Sequence, residues 1–246
     1  MDSSAAILVA LAAYLIGSIS FARVMVRLVK PDTSLHRARI HKSDTGEEGT
    51  VSGIGASTAS IALGPKYGYL VALLDMLKAF VPILALQSFF PGRPYGLVFS
   101  IFAIIGHNFP IYHRFNGGRG LSPMLGSLLV IEPVGMIAAM LAGTLIGILI
   151  NQPHTALMIW LPLLALWSWL VRGDPALTFY SVLIMGLFIS AEIPEIRLAM
   201  QFRKEGRMDE YNRMILDSAP QTRMMKRMAD KLRFWETGKA NSPGER

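Results

Sequence analysis

The chemistry-bearing residues crowd into one string, Gly106-His107-Asn108-Phe109-Pro110-Ile111-Tyr112-His113-Arg114-Phe115-Asn116-Gly117-Gly118-Arg119-Gly120. It lies between two apolar runs and holds two of the five histidines of the chain. Polar and ionisable groups at the edge of a membrane segment are costly, so a cluster of them marks a candidate site. Three glycines around Arg119 let the backbone turn tightly and aim N–H groups at an anion. A guanidinium supplies a planar fork that matches phosphate oxygens. The competing reading is a basic cytoplasmic turn between two helices, where glycine and arginine are both ordinary.

The elements that must position this string are apolar. Of 246 residues, 52% are hydrophobic and 17% charged, and the mean hydropathy is positive. That composition points away from a soluble domain and towards an all-α, polytopic membrane protein. Apolar windows fall at about 5–29, 67–90, 95–112, 121–131, 133–150, 155–171 and 176–198. They predict about seven transmembrane helices, the fourth short for a crossing of about 20 residues, with a polar re-entrant loop after the first. The first window has no small-residue cleavage site and reads as a retained helix. The chain has no cysteine, which removes disulfides, thiol nucleophiles and Cys-based metal sites. No metal or other cofactor is expected.

Lysine and arginine set the orientation. Lys30, Arg37, Arg39, Lys42, Lys66, Arg114 and Arg119 would all face one side, with only Arg93 and Arg172 in loops on the other. The positive-inside rule then puts the N-terminus outside, the glycine-rich turn in the cytoplasm and the C-terminus inside. The chain divides into a membrane domain, 1–200, and a basic cytoplasmic tail, 201–246. In the tail, Met224, Met225, Met228, Leu232 and Trp235 recur at helical spacing among Arg223, Lys226, Arg227, Lys231 and Arg233. That pattern over 221–235 fits an amphipathic helix on an anionic leaflet. A nucleic-acid partner is not expected, because the same basic bias accompanies any cytoplasmic membrane face.

The 106–120 string resembles the second signature of the bacterial acyl-phosphate:glycerol-3-phosphate acyltransferases, roughly G-H-x-[FY]-P-[VI]-x-x-x-F-K-G-G-K-G. Gly106, His107, Phe109, Pro110, Ile111, Phe115, Gly117, Gly118 and Gly120 stand in matching places. Asn116 replaces the first lysine and loses its charge; Arg119 replaces the second and keeps it. The resemblance runs from about Tyr14 to Leu198. Tyr14 to Ala22 is similar to the family's first helix, where Gly17, Ser18 and Ala22 read as close-packing residues. Asp75 and Lys78 match the family's L-D-x-x-K and share one helix face, either as an internal ion pair or facing substrate.

Two other signatures are altered. In the first, G-S-G-N-x-G-A-T-N-x-x-R, Gly55 and Ala56 match and Ser57 is a mild change. The family serine, first asparagine, second asparagine and arginine fall on Val51, Gly53, Thr58 and Ile61. A one-residue slip would bring Ser52-Gly53 onto the Ser-Gly pair, but the arginine would still be lost. In the third, H-R-x-N-I-x-R-L, the histidine falls on Ala191 and the asparagine on Pro194, while Arg197 and Leu198 match. Arg37, Arg39, Lys42 and Arg197 are the candidates to replace the missing charge.

The resemblance implies an integral-membrane acyltransferase of phospholipid synthesis, resident in the cell membrane of a prokaryote. Such an enzyme transfers an acyl group from acyl phosphate to glycerol 3-phosphate, or here to a related acceptor, and makes lysophosphatidic acid. His107 is the implied catalytic residue. Asn108, Gly117, Gly118, Arg119 and Gly120, with Gly53, Gly55 and Ser57, are the implied substrate- and phosphate-binding residues. The alternative is a catalytically lapsed homologue that binds a lipid or acyl phosphate and a partner protein. A transporter is a third reading, but no inverted repeat is visible in the chain.

Overall fold

The computed structural model describes residues 2–33, 35, 40–42, 48–50, 53–149, 153–208 and 210–211. Val51, Ser52, Arg37, Arg39 and the 221–235 segment lie outside the described residues. Nine α-helices are described: α1 Ser3–Gly17, α2 Phe21–Val29, α3 Ala56–Leu63, α4 Pro65–Phe89, α5 Tyr95–Asn108, α6 Leu121–Ile131, α7 Pro133–Leu149, α8 Pro153–Trp167 and α9 Pro175–Lys204. Four helical stretches, Ser3–Val29, Pro65–Phe89, Tyr95–His113 and Pro175–Lys204, are long and apolar enough to cross a membrane. Three shorter apolar helices accompany them, at Leu121–Ile131, Pro133–Gly147 and Met158–Arg172. The polar loop after α2 carries a small antiparallel pair, β1 Ile40–Lys42 with β2 Glu48–Thr50.

Backbone punctuation sets the helix ends. Gly64 adopts φ 103° and Pro65 takes the first position of α4, where its missing N–H removes no helical bond. Pro133 separates α6 from α7 after Glu132, since a proline disfavours helical geometry in the residue before it. The Asp174 side chain accepts from Ala176 N at 2.9 Å and Leu177 N at 3.1 Å, capping α9 ahead of Pro175. The first apolar window is one run in sequence but two helices in space, broken at Ser18–Ser20.

Helices pack here by small residues and by a few buried polar bonds, the two devices available where lipid supplies no hydrophobic drive. A β-carbon on Gly17 would strike the Ala103 carbonyl oxygen of α5, and one on Gly106 the Tyr14 carbonyl oxygen of α1. The two glycines thus let α1 and α5 touch along their backbones. Ser100 of α5 and Tyr180 of α9 share a buried hydrogen bond of 2.7 Å. The main core joins Ile104, Met124, Leu128, Trp160, Leu164, Tyr180 and Ile184. Leu8, Leu11, Leu73, Val81 and Leu141 point outward and exposed, as lipid-facing surface requires.

Candidate active site

Lys78 ties three helices together beneath the glycine-rich turn. Its Nζ lies 2.8 Å from Asp75 Oδ1, 2.9 Å from the carbonyls of Gly17 and Ile19 and 3.0 Å from His107 Nδ1. Asp75, Lys78 and His107 are all buried. The cation sits on the open carbonyls at the end of α1, where the helix dipole favours positive charge. Of the two readings of Asp75 and Lys78, the internal ion pair describes what the side chains do. The pair also holds the imidazole: His107 Nδ1 lies 3.0 Å from Lys78 Nζ and 3.5 Å from Asp75 Oδ1, so it can accept from the ammonium or donate to the carboxylate. Nε2 lies against Gly118: a β-carbon there would fall on it and stand 2.9 Å from Cδ2 and 3.1 Å from Cε1.

The turn itself is held by α5 and by the segment before α3. Gly118 N donates to the His107 carbonyl at 3.0 Å, and Ile54 N donates to the Gly117 carbonyl at 2.8 Å. A β-carbon on Gly117 would stand 2.5 Å from the Asn108 carbonyl oxygen and 2.6 Å from Pro110 Cδ, and one on Gly53 would stand 3.0 Å from Gly117 O. The glycines therefore serve close backbone approach. Gly120, at φ 78°, precedes α6, whose first N–H groups face out of the helix. Arg114 and Phe115 are left-handed at φ 52° and 60°, a conformation that costs a non-glycine residue about 1–3 kcal/mol and gathers at functional turns.

The remaining candidates separate into two groups. Gly53 joins the turn directly. Gly55 starts α3, where its N–H donates to Thr58 Oγ1 at 2.9 Å, and nothing lies within 4 Å of the position of a β-carbon on it. Ser57 lies in the first turn of α3, half-buried. Thr58, fully buried, ties this entry together through Gly55 O at 2.9 Å. Asn108 is different: it is buried, and its Nδ2 donates to the Leu187 carbonyl of α9 at 3.3 Å. Its amide joins α5 to α9.

Arg119 meets two carboxylates that the sequence reading passed over. Its Nε lies 3.2 Å from Glu192 Oε1, and its Nη2 pairs with Glu195 Oε2. Both glutamates are buried, at 1% and 4% exposure, and they share one face of α9 at i, i+3. The Arg119 fork, expected to be open to phosphate oxygens, already holds two carboxylates. Burial draws the guanidinium below its ordinary range while Glu192 holds it up. Arg197 is exposed and points away from the Glu192–Glu195 face by helical geometry.

Next to the turn a cleft of about 570 Å³ opens between α2 and the 112–116 segment, with Arg23, Arg27, His113 and Arg114 among its lining residues. At the other end of the molecule, Glu132 is buried and pairs with Arg172 Nε at 3.0 Å. Among the described residues, no group of three or more His, Cys, Asp or Glu is placed to hold a metal.

Known proteins resemble this chain in sequence and fold. A family profile described as glycerol-3-phosphate acyltransferase matches residues 7–199. The glycerol-3-phosphate acyltransferase of Pseudothermotoga lettingae is 34% identical over 128 residues, which cover 52% of this chain and 58% of that one. That of Aquifex aeolicus is 28% identical over 179 residues, covering 72% and 85%. The crystal structure of PlsY (YgiH), an integral membrane glycerol 3-phosphate acyltransferase, in its glycerol 3-phosphate form, superposes with a TM-score of 0.65 at 25% identity. It covers 82% of this chain and 94% of that one.

Proposed function

Because the chain belongs to the glycerol-3-phosphate acyltransferase family, we propose that it acylates glycerol 3-phosphate with an acyl phosphate at the cytoplasmic face of a bacterial membrane. The observation that carries this reading is the joining of two distant segments, one of which packs on an imidazole. Gly53-Ile54 and Gly117-Gly118 are joined backbone to backbone, and Gly118 packs on His107. The glycerol hydroxyl oxygen attacks the acyl carbonyl carbon, a new ester bond forms, and the acyl carbon–phosphate oxygen bond breaks. Inorganic phosphate leaves, and the hydroxyl proton passes to it. An acyl phosphate is already activated, so the protein chiefly positions two anions and stabilises developing charge.

His107 orients or donates to a phosphate oxygen from the ring edge that meets Gly118. Gly117, Gly118 and Gly120 let that phosphate approach the backbone, and the first N–H groups of α6 favour an anion there. Arg119 offsets the charge of Glu192 and Glu195 beside the turn. Gly53, Gly55 and Ser57 form the opposite wall. The same proposal carries seven crossings with the N-terminus outside, a membrane domain over 1–200 and a basic cytoplasmic tail over 201–246, on the asymmetry of lysine and arginine. The test is product formation by the purified protein with acyl phosphate and glycerol 3-phosphate, beside His107→Ala. Loss of the imidazole should reduce turnover by about 100-fold. Equal turnover would remove His107 from the reaction.

A further inference from the structure

The acceptor phosphate needs a cationic partner, and two positions are neutral where the family pattern carries charge: Ile61 stands for arginine and Asn116 for lysine. The structure offers charge nearby from a different element. Arg23, Val26 and Arg27 line the cleft of about 570 Å³ from one face of α2, and Tyr112, Arg114 and Asn116 line it from the turn. Spacing of i, i+3 and i+4 brings the α2 residues to a single side. None of the described lining residues is acidic. Arg23 Nη2 donates to the Asn116 carbonyl at 2.6 Å, across 93 positions of sequence. A guanidinium therefore stands beside the position whose own charge was lost. Ile54, another lining residue, donates its N–H to Gly117, so the cleft adjoins the glycine-rich turn.

We propose that Arg23, Arg27 and Arg114 form a relocated subsite for the phosphate of a small phosphorylated polyol, the acceptor of the reaction proposed above. The reading rests on three positive side chains around one cleft that adjoins the turn. Arginine forks suit a phosphate dianion better than lysine. The left-handed backbone at Arg114 places this charge on a turn rather than on a regular helix. The inference builds on the acyltransferase reading, but a binding measurement separates the two.

The experiment titrates the detergent-purified full chain with glycerol 3-phosphate and, separately, glycerol, by calorimetry. Wild type is compared with Arg23→Gln, Arg27→Gln, Arg114→Gln and Arg93→Gln. Arg93 lies at the opposite end and serves as the control. Arg27 and Arg114 are exposed, so their loss leaves packing intact even where Arg23→Gln disturbs the turn. The expected result is binding of glycerol 3-phosphate but not glycerol, weakened about tenfold or more by each cleft variant and unchanged in Arg93→Gln. Unchanged affinity in Arg27→Gln and Arg114→Gln, or no wild-type binding, overturns the subsite. Product formed with an unchanged KM in those variants would sink the subsite while leaving the acyltransferase reading intact. Binding lost in the cleft variants, with no product from wild type, would do the reverse.

Discussion

Removing Arg119 tests how the altered end of α9 is tolerated. Glu192 and Glu195 are 1% and 4% exposed, and both carboxylates lie against the Arg119 guanidinium. Arg119→Ala would leave two buried carboxylates without that partner. Breaking a buried pair in this way costs about 3–5 kcal/mol. The Arg119 side chain is itself 26% exposed, so water relieves part of the penalty and the lower end, about 3 kcal/mol, is expected. For a chain of this size each kcal/mol moves the melting temperature by about 2–4 °C, giving a fall of about 6–12 °C. The assay is thermal unfolding in detergent at fixed scan rate, because membrane proteins of this kind often unfold irreversibly. Glu192→Gln with Glu195→Gln in the Arg119→Ala background should recover most of the loss. A fall under 2 °C for Arg119→Ala, or no recovery in the triple variant, would refute the three-residue cluster.

Other variants probe the parts separately. Gly118→Ala puts a methyl group onto the His107 ring and should lower stability by about 1–3 kcal/mol, with turnover reduced more than tenfold; wild-type turnover would show that the ring is not packed there. Lys78→Met leaves Asp75 to the longer His107 contact at 3.5 Å and should cost about 3–5 kcal/mol, while Asp75→Asn with Lys78→Met should cost less than either change alone; additive losses in thermal unfolding would contradict the buried pair. A cysteine introduced at Gly238 should resist a membrane-impermeant thiol reagent in intact cells, and labelling there would reverse the assigned orientation.

Much of this fold is legible from local rules. Gly64-Pro65, Glu132-Pro133 and Asp174-Pro175 mark helix boundaries because they restrict backbone geometry wherever they occur. Asp75 and Lys78 share a face by spacing alone. The break at Ser18–Ser20 is not legible, since an apolar window averages composition and the apolar residues around Arg23 and Arg27 carry the second half along with the first. The partner of Arg119 is hidden for a different reason. Ala191 and Pro194 stand where the family pattern has functional groups, while the neighbouring Glu192 and Glu195 carry the charge that decides what Arg119 can do. Their i, i+3 spacing on an apolar helix was a signal that two carboxylates share a buried face and need a cation. The Arg23 to Asn116 contact spans 93 positions, and no periodicity within either segment points to it.

The most direct measurement is the formation of lysophosphatidic acid by the purified full chain, reconstituted in vesicles and supplied with acyl phosphate and glycerol 3-phosphate. Phosphate release is followed in the same reaction. One lysophosphatidic acid is expected for each phosphate released, with neither formed when glycerol replaces glycerol 3-phosphate. Bound acyl phosphate with no acylated product, at any glycerol 3-phosphate concentration, would contradict the acyltransferase reading.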